Sequence, residues 1–271
     1  MPTIKIADND CFYTYEDLGH DDTIMFSNSL GTDLSMWDEV AHILREHLNI
    51  VRYDTRGHGQ STISSDAVTI AELGQDVIDL LDHLKLGKVY FCGLSMGGLI
   101  GQWLGIHKPE RFKKIIIANT AAKIGTAEGW NTRIAQVKEH GLQSILDGTA
   151  QRWFTPELRK EHKAIVDAVL EKFKQTSLQG YVANCAAVRD ADFREELSKL
   201  SVPTLIISGT QDEVTTTEDG DFLATNIPRT RHVQLDANHL SSVEQPAAFA
   251  KNILYAAKNE GDFYLKIFPL I

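Results

Sequence analysis

Between residues 69 and 84 the apolar positions Ile70, Leu73, Val77, Leu80, Leu81 and Leu84 recur at three- and four-residue intervals, which predicts an amphipathic helix. Helical spacing also predicts helices over residues 37–47 and 96–107. Short β-rich runs alternate with them, at 12–16, 23–27, 49–54 and 88–92. The run KIIIA at 114–118 is apolar almost throughout instead of alternating, as expected for a strand covered on both faces. Strands and helices that alternate in this way predict an α/β fold, a doubly wound parallel sheet between helix layers.

The strand signal then disappears. Residues 122–200 read as helical and polar, broken at Gly125, Gly141, Pro156 and Gly180, and they carry Trp130, Trp153, Phe173 and Tyr181. PTLIIS at 203–208 and the stretch 232–235 restore strand character, and 246–258 forms a closing helix. The expected organisation is therefore one core domain, 1–121 plus 201–271, with a helical cap inserted at 122–200. The charged and aromatic tail from Lys258 onward has no legible function.

Composition narrows the function. A chain of 271 residues that is 43% hydrophobic can bury a large core, and a formal charge of -10 repels nucleic acid and anionic membrane surfaces alike. The expected partner is a small molecule. Cys11, Cys92 and Cys185 lie far apart without CxxC spacing, so neither a disulfide framework nor a structural zinc site is expected. The first residues lack an apolar signal core and no stretch is long enough to span a membrane, so the expected location is cytoplasmic.

The candidate chemistry starts at GLSMG, residues 93–97, where a predicted strand meets a predicted helix. Glycines 93, 97, 98 and 101 permit a sharp turn and close helix–strand approach, and Ser95 at its apex is the candidate nucleophile. A serine hydroxyl needs a general base, and the base needs an orienting carboxylate. On such a sheet both should follow later strands, in the order acid then histidine. Asp212 follows the strand at 205–208, with Glu213 as its neighbouring competitor, and His239 follows the last strand. Of the ten histidines, His239 alone has both the order and the element end; His232 falls inside the strand and His58 in an earlier loop. Oxyanion donors are expected from the backbone amides of Met96, at the start of a helix, and Leu30, in the loop after the 23–27 strand.

With these residues placed, the chain resembles the α/β-hydrolase fold family. SNSLGTDLSMWD (27–38), RYDTRGHGQS (52–61), FCGLSMGGLIGQWLG (91–105), NTAAKIGT (119–126), RWFTP (152–156) and GYVANCAAVRDADFR (180–194) are similar to its enol-lactonase branch. The resemblance runs from about residue 4 to about 257, and the cap segments are its discriminating part. It implies a mostly parallel eight-stranded sheet and hydrolysis of 3-oxoadipate enol-lactone to 3-oxoadipate in aromatic catabolism, with no metal or organic cofactor. That substrate carries a carboxylate, so an acidic protein must supply a local cation. Arg133, Arg152, Arg189 and Lys123 are the cap candidates. Arg133 is preferred because it lies three residues from Trp130, on the same helix face, with Trp130 as a pocket wall. A general carboxylesterase, a cofactor-free perhydrolase and a non-catalytic binding scaffold are the competing readings.

Overall fold

The computed structural model describes residues 2–259. Eight strands form one sheet: β1 (Thr3–Ile6), β2 (Asn9–Glu16), β3 (Thr23–Ser27), β4 (Asn49–Tyr53), β5 (Val89–Leu94), β6 (Phe112–Ala118), β7 (Thr204–Gly209) and β8 (Thr230–Leu235). Their order is β1-β2-β4-β3-β5-β6-β7-β8. The pairs β1–β2 and β2–β4 are antiparallel and every pair from β4–β3 to β7–β8 is parallel. This is the mostly parallel eight-stranded arrangement the resemblance implied.

Burial explains why the central strands were legible. All residues of β3, β5 and β7 are buried, and β6 is buried except at Lys113. Helices α1 (Asp38–Leu44) and α11 (Pro246–Lys258) pack on each other, as do α2 (Ile70–His83) and α3 (Met96–His107). Trp37, fully buried just before α1, joins the layers: its ring lies 4.7 Å from that of Phe26 on β3 and 5.8 Å from that of Phe249 on α11. Thr69 starts α2 with a reciprocal capping box, its hydroxyl accepting from the Glu72 amide while the Glu72 carboxylate accepts from the Thr69 amide.

Two expectations change. The segment 3–6 is a strand that the hydrophobic pattern did not reveal: only Ile6 of its four residues is buried, because it forms the sheet edge against β2 alone. The helix expected over 37–47 is shorter. A 3₁₀ turn at Leu34–Trp37, capped by Asp33 accepting from the Ser35 amide, comes first, and the α-helix stops at Leu44.

Between β6 and β7 the described chain is helical, with α4 (Ala127–His140), α5 (Leu146–Trp153), α6 (Pro156–Glu161), α7 (Lys163–Gln175) and α8 (Leu178–Asp190). Helix α9 (Thr217–Asn226) follows β7 and α10 (Ser241–Glu244) follows β8. The tail singled out in the sequence falls almost entirely outside the described residues.

Candidate active site

The carboxyl ends of β3, β5, β6, β7 and β8 converge on one region, the general location of ligand sites in open parallel sheets. Ser95 stands between β5 and α3 with φ 58° and ψ -111°, a backbone conformation costly for any residue with a side chain. The flanking glycines make this turn possible. A Cβ on Gly93 would lie 2.0 Å from the Gly97 carbonyl oxygen, and one on Gly97 would lie 2.3 Å from that of Ser27. The Ser95 amide donates to the Ala118 carbonyl at 2.9 Å and its side chain caps nothing, so the hydroxyl is not committed to the helix.

His239 and Asp212 meet as the sequence order suggested. Nδ1 of His239 lies 2.8 Å from Oδ2 of Asp212, and both side chains are almost fully buried. The loop after β7 wraps the carboxylate: Oδ1 accepts from the amides of Val214 and Thr215, and Oδ2 accepts from the Thr215 hydroxyl and the Asn119 side-chain amide. Burial alone would raise the Asp212 pKa, but the neighbouring His239 and these hydrogen bonds together outweigh it and hold the pKa down to about 2. Asp212 is therefore a permanent anion suited to orient the imidazole and stabilise its protonated form. Glu213, the competitor, is exposed and lines the cavity without bonding His239.

Ser95 and His239 line one cavity of about 260 Å³ together with Leu30, Trp130, Arg133 and Arg152. No hydrogen bond closes between Ser95 and His239 in this structure; such bonds commonly tighten only in the substrate complex. Met96 is the first residue of α3, where an amide has no carbonyl partner within the helix, while the following amide, Gly97, is already engaged by the Asn28 carbonyl at 3.1 Å. On the other wall, the Gly31 amide next to Leu30 donates to Nε2 of His58 at 2.9 Å, which fixes the loop that presents Leu30.

The structure separates the four candidate cations. Arg189 pairs with Asp190 and bonds Asn131, Lys123 pairs with Asp192, and neither lines the cavity. Arg133 and Arg152 do. Arg133 lies over the Trp130 ring at 5.4 Å and donates to the Tyr181 hydroxyl at 3.3 Å. Arg152 is half-buried, and burial followed by repulsion from Arg133 lowers its pKa to about 10. Two partly buried guanidiniums without an acidic partner of their own are an arrangement that can accept a carboxylate. Arg133, the preferred candidate, thus lines the cavity together with Arg152, whose placement there depends on the packing of α5. Asn119, Thr215 and His58 were not among the candidates; a polar residue directly after a buried strand, as Asn119 follows β6, was the available signal.

A second Ser–His–Asp chain is present but closed. His232 contacts Ser208 Oγ through Nε2 at 2.9 Å and Asp221 through Nδ1 at 3.0 Å. Ser208 is buried beneath α9, where even a Cβ on Gly220 would lie 2.3 Å from its hydroxyl, so no substrate can reach it. This chain ties α9 to β7 and β8. Among the described residues no group of three His, Cys, Asp or Glu side chains could hold a metal ion, and no helix is long and apolar enough to cross a membrane.

Residues 22–246 match the family model described as the alpha/beta hydrolase fold. The chain is 45% identical to 3-oxoadipate enol-lactonase 2 of Acinetobacter baylyi over 255 residues, covering 92% of this chain and 96% of the relative. It is 44% identical to 3-oxoadipate enol-lactonase 1 of the same organism, covering 83% and 85%. The crystal structure of the enol-lactonase from Burkholderia xenovorans superposes with a TM-score of 0.93 at 37% identity, covering 95% of this chain and all of that one.

Proposed function

The chain belongs to the α/β-hydrolase fold family, and from that premise we propose that it is a serine hydrolase that opens 3-oxoadipate enol-lactone to 3-oxoadipate in the catabolism of aromatic compounds. The observation that carries this reading is the joint presence of Ser95, the Asp212–His239 pair and the Arg133–Arg152 pair around one cavity.

The arginine pair holds the substrate carboxylate and directs the lactone carbonyl toward Ser95. His239 takes the hydroxyl proton as Ser95 Oγ attacks the carbonyl carbon. The oxyanion is held by the amides of Leu30 and Met96, and Asp212 stabilises the imidazolium. Collapse of this intermediate breaks the ring C–O bond, giving an acyl enzyme and an enol that takes the proton from His239. The enol stays attached, because acyl and leaving groups belong to one molecule. Water, deprotonated by His239, then attacks the ester and releases the acid with Ser95 reprotonated. Tautomerisation of the free enol to the ketone removes product from the reverse reaction.

In the same proposal the described residues of 1–121 and 201–271 form the catalytic core, and residues 122–200 form the cap that supplies both arginines and Trp130. The buried free thiols of Cys11, Cys92 and Cys185 support a reducing, cytoplasmic setting.

The test is the loss of ultraviolet absorbance of freshly generated enol-lactone, with wild type and Ser95→Ala compared with spontaneous hydrolysis. Rapid turnover by wild type and a Ser95→Ala rate lower by about 10⁴-fold or more are expected. A wild-type rate equal to background overturns the reading, and faster turnover of simple aryl esters than of the lactone points to a general carboxylesterase.

A further inference from the structure

Helix α5 ends at Trp153, so its last carbonyls have no partners within the helix. The loop that carries His239 supplies them. Asn238 Nδ2 donates to the Gln151 carbonyl at 3.1 Å, and the Leu240 amide donates to the Trp153 carbonyl at 3.1 Å. Arg152, one of the two cavity cations, lies between these anchor points.

A third connection runs through Glu244, the last residue of α10. Its Oε1 accepts from the Thr155 amide at 2.7 Å and the Thr155 hydroxyl at 2.8 Å, at the start of α6. Its Oε2 accepts from the amide of Asn238, whose own Oδ1 accepts from the His239 amide at 2.9 Å. One carboxylate therefore joins the residue before His239 to the residue three places after Arg152. Three donors converge on it, and a carboxylate is the side chain that offers only acceptors to such a set. A lone structural cap on α6 would need just the Thr155 half of this arrangement.

We propose that Glu244 is a positioning residue that fastens the cap strip presenting Arg152 to the loop presenting His239, keeping the carboxylate-binding cation in register with the general base. This rests on the assignment of Arg152 and His239 made above. Its consequence is that the substrate carboxylate and the reacting carbonyl are held in one frame, although the cation belongs to the cap and the base to the core.

Glu244→Gln is nearly isosteric but turns an NH₂ toward an N–H, replacing an accepted bond by a donor facing a donor. The test measures Glu244→Gln, Arg152→Ala and the double variant in the full chain, on the anionic enol-lactone and on neutral p-nitrophenyl acetate. Glu244→Gln is expected to lower kcat/KM for the lactone about 10-fold, with a raised KM, and to lower that for the neutral ester only about threefold, through kcat. In the Arg152→Ala background the KM effect of Glu244→Gln should vanish. Fold losses that simply multiply in the double variant, or equal losses on the two substrates, overturn the proposal. Arg152→Ala with an unchanged KM for the lactone is a different failure: it removes the carboxylate assignment, and the coupling with it.

If Glu244→Gln does not fold by circular dichroism, Thr155→Ala removes one of the three donors and should shift KM in the same direction by a smaller factor, while Thr155→Ser restores it. Lower thermal stability of Thr155→Ala without a KM change for the lactone also overturns the proposal.

Discussion

The side-chain amide of Asn119 donates to Oδ2 of Asp212 at 3.0 Å, the same carboxylate oxygen that meets Nδ1 of His239 at 2.8 Å. Asn119 directly follows β6 with φ 43°, a left-handed conformation that asparagine adopts more readily than other side chains. The Ser241 hydroxyl donates to its Oδ1 at 2.5 Å, so the amide face is the one left for Asp212. Asn119→Gly preserves the backbone conformation and removes the donor. Asp212 keeps its bonds from Val214 and Thr215, so the expected effect is partial: kcat for the enol-lactone falls about 10-fold with KM nearly unchanged. Steady-state kinetics check this, and an unchanged kcat would show that the orienting acid does not depend on Asn119.

In the proposed reading Arg133 recognises the substrate carboxylate, with its guanidinium donating to the Tyr181 hydroxyl and lying over the Trp130 ring. Arg133→Ala should raise KM for the anionic lactone by about 10- to 100-fold, the range for a lost charge-assisted hydrogen bond, and leave KM for neutral aryl esters nearly unchanged. Arg133→Lys retains the charge but loses the planar fork and should fall between the two. Equal KM changes on charged and neutral substrates would remove Arg133 from carboxylate recognition.

Why were Ser95, Asp212 and His239 legible when Asn119 and Glu244 were not, and when Arg152 was only one of four cap candidates? Ser95 and Asp212 follow strands buried throughout and His239 follows the last strand, so local pattern and chain order suffice to nominate them. The roles of the others depend on distant partners. Asn119 needs the loop after β7 to fold over it, Arg152 needs α5 to dock, and Glu244 needs the cap strip and the His239 loop to meet. The same contrast holds for the fold. KIIIA announces β6 because both faces are covered, whereas TIKI at β1 buries only Ile6 and leaves no periodic trace. His232 gives the converse warning: a Ser–His–Asp chain can be complete in its contacts and still have no access for substrate.

Helix α8 and the loop after β4 also touch backbone to backbone. Gly57, with φ 74°, lies against Gly180 on α8, and a Cβ on Gly180 would lie 2.3 Å from the Gly57 carbonyl oxygen. Asn184 on the same helix donates to the Arg56 carbonyl at 2.9 Å, so the helix cannot back away without losing that bond. Gly180→Ala should therefore destabilise by about 1–3 kcal/mol, the usual cost of overpacking, and lower Tm by about 3–10 °C. Gly87→Ala, where a Cβ meets nothing within 4 Å, is the control and should leave Tm almost unchanged. Calorimetry that finds the two variants alike would show that the α8 contact yields freely.

His58 is buried, and its Nε2 accepts the Gly31 amide at 2.9 Å while Nδ1 faces the Arg56 carbonyl at 3.2 Å. The ring is thus a neutral tautomer protonated on Nδ1, and a second proton would set a donor against the Gly31 N–H. Burial pushes its pKa down from 6.5 to about 4. Between these values the unfolded chain binds more protons at this site, so the His58 contribution is fully present above about pH 6.5 and is lost as the pH falls through about 4, a change of about 3 kcal/mol. Asp54 and Asp76, raised to about 6 by burial, act in the opposite sense across much of this window, because there the folded chain binds the extra proton. The wild-type stability curve therefore mixes the two, and the difference between wild type and His58→Gln separates them. Urea unfolding at pH 4, 5.5 and 7 should show wild type gaining on His58→Gln by about 3 kcal/mol from the lowest pH to the highest. A difference that does not change with pH would mean that His58 does not hold the Leu30–Gly31 loop as a neutral acceptor.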